Sequence, residues 1–170
     1  PTALPRPSPV DPPTHLRCVR NDDGVTTRRA LRAVLVASWP DDSGTEHKVS
    51  FHPSVAEALA RALVLFGDDP THGLRAVVDV GEFEPFDERA DSAGTRRALA
   101  MLRAARQHQL LITGTAVDLM SLPVTDLELV DRGMHRVHGL DRPVRVFSGR
   151  GQGLSDVEPR TMDTVASSVP

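Results

Sequence analysis

Residues Leu74 to Val80 read Leu-Arg-Ala-Val-Val-Asp-Val, apolar at nearly every position. A half-exposed strand alternates; a run this continuous is a central strand covered on both faces, and so demands helices above and below it. The residues that follow supply them. Asp91 or Ser92 is positioned to cap a helix from about Gly94 to Arg106, apolar at Leu99, Leu102 and Ala105 and basic at Arg96, Arg97, Arg103 and Arg106. Leu110 to Thr113 reads as a second strand, and Thr115 to Met120 as a short helix.

Upstream, Leu16 to Arg20 is expected to be a short strand entering the turn Asn21-Asp22-Asp23-Gly24. A helix is expected from about Thr27 to Ala37, with Leu31, Val34 and Leu35 on one side and Arg28, Arg29 and Arg32 on the other, stopped by Pro40. Val49 and Phe51 alternate with Lys48 and Ser50 as a half-buried strand does. Ser54-Val55-Ala56-Glu57 is a capping box that opens a helix with the stripe Val55, Ala58, Leu59, Ala62, Leu63 and Phe66, ended by Gly67. Downstream, Leu127 to Val130, His135 to His138 and Val144 to Phe147 look like three short strands. Six prolines among residues 1–14 predict a flexible segment, and loss of periodicity after Gly149 predicts a disordered tail over 150–170. One domain over 15–149 remains.

Composition narrows the function classes. A net charge of -3, 4% aromatics and no Tyr give neither the basic surface nor the stacking platforms that nucleic-acid binding uses, so nucleic acid is not expected as a partner. Cys18 is the one cysteine, which rules out an internal disulfide; a small buried side chain in the first strand is its expected role. No apolar run approaches the roughly 20 residues that a bilayer requires, so no membrane association is expected and the cytoplasm is the expected setting. Lys48 is the one lysine among 20 basic residues, an arginine bias that points to a GC-rich bacterial genome.

Two segments carry a family resemblance. Leu74-Arg75-Ala76-Val77-Val78-Asp79-Val80-Gly81-Glu82 resembles the strand of class III adenylate/guanylate cyclase catalytic domains that ends in His-Thr-Gly-Glu, with Asp79 and Val80 in place of His and Thr. Asp131 to Leu140 resembles the family's late Leu-Lys-Gly-Leu hairpin, followed by Pro143 to Phe147 as its Pro-Val-x-Val-Phe strand. The resemblance implies an α+β fold: a ferredoxin-like palm of the cyclase type, with a central, mostly antiparallel sheet and helices packed on it. It also implies a homodimer or a cyclase-like or regulatory protein partner, since cyclase active sites are completed across an interface.

Cyclases hold two metal ions on two carboxylates, which activate the 3′-hydroxyl while charge develops on the α-phosphate. In the frame that the resemblance sets, the first carboxylate falls at Asn21 and the second in the Thr45-Glu46 turn, with Asp22, Asp23 and Glu46 as substitute ligands. The base-contacting Lys falls at Asp42. The base-reading Asp is kept as Asp91, while the ribose-orienting Asn and the phosphate-stabilising Arg fall at Ala98 and Leu102. An arginine that neutralises phosphoryl charge contributes several powers of ten in rate; Ala98 and Leu102 contribute none. The expectation is therefore a catalytically inactive cyclase-like domain with no cofactor, acting as a regulatory or protein-interaction module in bacterial signalling or transcription control. Asp91 and Asp42 are its nucleotide-binding remnant. The alternatives are a sensor that binds a purine nucleotide without turnover, or a divergent purine nucleotide cyclase using Mg or Mn on Asp22 or Asp23 with Glu46.

Plainer roles compete for several of these side chains. Asp22-Asp23, Asp41-Asp42 and Gly67-Asp68-Asp69 all have the composition of turns and helix caps. His135 and His138, three apart in an expected strand, point to opposite faces and do not share a metal.

Overall fold

The computed structural model describes residues 16–20, 26–41, 44–68, 73–83, 92–121, 123–160 and 163–164. Asn21, Asp22, Asp23, Asp42 and Asp91 lie outside the described residues, as does the side chain of Cys18.

The continuous apolar run becomes strand β4, Arg75–Phe83, in the interior of the sheet. On one side it pairs antiparallel with β2, Thr26–Asp41, in the register Leu35↔Val78; on the other it pairs parallel with β5, Gln109–Thr113, in the register Val77↔Leu111. β2 is long enough to carry two further partners along its outer edge, β1 (Leu16–Arg20) and then β3 (Gly44–His52), both antiparallel. Beyond β5 come β7 (Val144–Arg150), β6 (Glu128–Arg136) and β8 (Asp163–Thr164), each antiparallel to its neighbour. The sheet is thus antiparallel apart from the β4–β5 pair, as the α+β expectation required.

The helix expected over Thr27 to Ala37 is instead part of β2. Residues 33 to 38 are all buried, with Ala33, Leu35 and Ala37 in one core cluster and Val34 and Val36 in the other. That is period two with both faces covered, a pattern in which the apolar residues at 31, 34 and 35 mimic a helical stripe. Arg32, exposed in the same strand, adds to the imitation.

Each face of the sheet has its helix. On one, α1 (Val55–Asp68) lays Val55, Ala58, Leu59, Ala62 and Phe66 over Ala76, Val78, Leu110 and Ile112. Its start is the expected capping box: Ser54 Oγ accepts from the Glu57 amide at 3.2 Å and donates to the Glu57 carboxylate at 3.2 Å. On the other face, α2 (Ala93–Ala104) packs Ala98, Met101 and Leu102 against Val34, Val36, Val77 and Leu111. Ser92 caps it, accepting from the Thr95 amide at 3.0 Å. Gly94 permits the close approach, since a Cβ there would sit 2.6 Å from the Val80 carbonyl oxygen. The short helix α3, Gly114–Asp118, follows β5 directly and is capped by Thr113.

Two expected strands, Leu127 to Val130 and His135 to His138, are joined into the single strand β6, whose register shifts between Asp131 and Gly133. Gly133 takes φ +81° there, a conformation glycine adopts without steric cost. The tail expected to be disordered from residue 150 is held down over residues 151–160. Ser155 N donates to His108 O, Arg160 N donates to Ala104 O at 2.7 Å, and buried Gln109 donates from Nε2 to Val157 O. Asp156 pairs with Arg132 and Arg150, and Glu158 with Arg132. These are polar contacts made at distant points of the chain, so no local apolar period announces them.

Candidate functional site

Odd-numbered residues of β4 face α2, so Asp79 lies within the apolar layer beneath that helix. A buried carboxylate needs partners, and this one has several. Its Oδ1 accepts from the Val80 amide at 2.7 Å, the Thr113 hydroxyl at 2.6 Å and Arg97 Nη2 at 2.9 Å. Its Oδ2 lies 2.6 Å from Arg97 Nε. Arg97 also donates to the Val80 carbonyl at 3.1 Å. The network ties together β4, the first turns of α2 and the end of β5. Thr113 joins the two halves, since its hydroxyl donates to Asp79 while accepting from the Ala116 amide at the start of α3.

Arg97 is a quarter exposed, and its outer surface lines a cleft of about 640 Å³ between the start of α2, α3 and the β6–β7 hairpin. Arg96, Arg142 and Arg145 line the same cleft, with Asp118 and Asp141. Arg145 is tied to Asp131 at 2.6 Å and stacks 5.3 Å from the Phe147 ring centre. That bond to Arg145, with the Gly133 amide, holds Asp131 below the ordinary carboxylate value and raises Arg145. With Arg97 and Arg145 neutralised by Asp79 and Asp131, the cleft presents guanidinium donors from Arg96 and Arg142 beside the carboxylates of Asp118 and Asp141.

The sequence candidates fall in separate places. Ala98 and Leu102 are buried in the core under α2. Glu46 is exposed on β3, opposite Trp39 of β2. Asn21, Asp22, Asp23, Asp42 and Asp91 lie outside the described residues. Among the described residues no group of three or more His, Cys, Asp or Glu side chains is placed to hold a metal ion. His135 is buried, its Nε2 2.6 Å from the Arg132 carbonyl, and its Nδ1 has no partner among the described residues; His138 is exposed. Asp68 ends α1 at the surface.

The sequence marks Asp79 as a replacement for His and Arg97 as one of the basic residues of α2, but not that the two are paired. The signal was present. A lone carboxylate inside an apolar strand has to find a cation, and the helix that covers the strand is rich in arginine.

No protein-family model matches this sequence, and no curated protein is similar enough to it to count as a relative. Solved structures do resemble the fold. The adenylate/guanylate cyclase/hydrolase from Silicibacter pomeroyi superposes with a TM-score of 0.57 at 14% identity, over 75% of this chain and 98% of that one. The adenylyl cyclase CyaB from P. aeruginosa gives a TM-score of 0.48 at 12% identity, over 77% of this chain and its own full length. The chain therefore has a class III cyclase-like α+β fold. No helix among the described residues is long and apolar enough to cross a membrane.

Proposed function

We propose that this is a cyclase-fold domain without cyclase chemistry, working in the bacterial cytoplasm as a regulatory or protein-interaction module in signalling or transcription control. The observation that carries the proposal is the packing of α2. Ala98 and Leu102, the positions that the resemblance assigns to the ribose-orienting and phosphate-stabilising groups, are apolar and lie in the hydrophobic core. Arg97, which adjoins Ala98 on the same helix, is held by Asp79, so its charge is already compensated. A partner in the manner of cyclases, either a second copy or another cyclase-like chain, follows from the resemblance.

The test is a cyclic-nucleotide assay with ATP and with GTP, each in Mg and in Mn. No product is expected. Metal-dependent product that vanishes on Glu46→Ala would establish the divergent enzyme instead. Light scattering across micromolar concentrations tests the homodimer; a monomer mass throughout, alone and with cyclase-like partners absent, removes self-association from the proposal.

The cleft beside Arg96, Arg97, Arg142 and Arg145 favours a second reading, a nucleotide sensor without turnover. Calorimetry with ATP and GTP separates it from the first, because a pure interaction module gives no heat of binding.

A further inference from the structure

A second cationic site lies at the other end of α2. Two hollows, of about 390 and 180 Å³, meet at Arg75, the first residue of β4. His47, Arg103, Leu99 and Leu102 line the larger, and Arg160 lines the smaller. No carboxylate lines either of them among the described residues.

Among the described residues the two hollows thus gather Arg75, Arg103 and Arg160 with no carboxylate in their lining. Four arginines elsewhere carry their counter-charge with them: Arg97 with Asp79, Arg132 with Asp156 and Glu158, Arg145 with Asp131, and Arg150 with Glu128 and Asp156. Arg75 is half-buried, and its Nη2 donates to the hydroxyl of buried Ser38 at 3.3 Å. A neutral hydroxyl orients the guanidinium without cancelling its charge. Arg160 is brought alongside by its backbone, through the bond from its amide to the Ala104 carbonyl. Arg103 offsets the partial negative charge at the end of α2, but one cation is enough for that, and Arg75 and Arg160 remain.

We propose that these hollows bind a small organic phosphate. The guanidinium forks of Arg75 and Arg103 match phosphate oxygens in geometry and charge. Leu99 and Leu102 offer an apolar wall for the rest of the molecule, and the larger hollow falls within the range of roughly 300–1,000 Å³ typical of small-molecule sites. The site differs from the cleft at the start of α2 and does not depend on the reading of that cleft.

Titration of the 170-residue chain with phenyl phosphate, followed by amide NMR at low salt, tests the proposal. Saturable shifts are expected at His47, Arg75 and Arg103. Arg75→Gln is expected to weaken binding roughly tenfold or more, Arg103→Gln to weaken it by a smaller factor, and Arg61→Gln, on α1 across the sheet, to leave it unchanged. Inorganic phosphate is expected to bind the same residues more weakly, because it lacks the group that meets the leucine wall. Three results would overturn the proposal: no saturation by about 10 mM, shifts centred on Arg96, Arg97 and Arg142, or equal losses in Arg61→Gln and Arg75→Gln. The spectrum of each variant reports whether it is folded, and Arg103→Gln, at an exposed position, keeps the test intact if Arg75→Gln does not fold.

Discussion

The carboxylate of Asp79 holds Arg97 through two of its nitrogens, Nε at 2.6 Å and Nη2 at 2.9 Å, from a position with no solvent exposure. The pair fastens α2 to the middle of the sheet, where an apolar contact would have been the simpler solution. Asp79→Ala leaves Arg97 without its anion and Thr113 without its acceptor. Breaking a buried pair from one side costs about 3–5 kcal/mol, and Arg97 retains some access to water, so a loss of about 3 kcal/mol is expected by urea unfolding. Asp79→Asn, which keeps an acceptor for Thr113, is expected to lose less. An Asp79→Ala protein as stable as the parent would show that the pair contributes nothing net.

Gly94 is expected to resist replacement even though it lies in a helix, where alanine is favoured by about 1 kcal/mol. A methyl group there would lie 2.6 Å from the Val80 carbonyl oxygen and 2.9 Å from the Gly81 Cα, both backbone atoms that cannot rotate away. Overpacking costs about 1–3 kcal/mol, so Gly94→Ala should lower the unfolding midpoint. A raised midpoint would mean that α2 can slide outward freely.

Restoring the family's arginine is expected to fail as a repair. Leu102 is 2% exposed, and a guanidinium in its place would either be buried among Val34, Val36 and Leu111 or enter the hollow beside Arg75 and Arg103, while Asp79 is already taken by Arg97. Leu102→Arg should cost more than about 3 kcal/mol and produce no cyclic nucleotide. A folded Leu102→Arg protein with turnover would refute both the packing argument and the inactivity proposal.

Acid is expected to weaken the domain partly through His52. Burial, outweighing the attraction of Glu57, lowers this imidazole from its ordinary value of 6.5. Its ring nitrogen also lies 3.0 Å from the Ser50 hydroxyl. The unfolded chain therefore takes up the proton at higher pH than the folded one. The stability tied to His52 is intact above about pH 6.5 and is lost as pH falls through that value toward the folded one. Urea midpoints from pH 7.5 down to 5.5 should fall less steeply in His52→Gln than in the parent; identical slopes would assign the effect to other histidines.

Much of this architecture can be read in the residues without coordinates. The run at 74–80, the capping box at 54–57 and the stripes of α1 and α2 are local patterns, and local patterns are written in consecutive residues. For the same reason the α+β class and the cyclase-like fold were legible. β2 was misread because a short apolar segment supports either period until its partners are known, and it is β3 and β4, pairing on both sides, that make it a strand. The pairing of Asp79 with Arg97, the anchoring of residues 151–160 by Gln109, and the convergence of Arg75, Arg103 and Arg160 were decided by tertiary structure alone. Each joins groups from different elements. A charge or a polar side chain has no intrinsic partner along the chain, and only the folding of the sheet and its helices sets which one lies within reach.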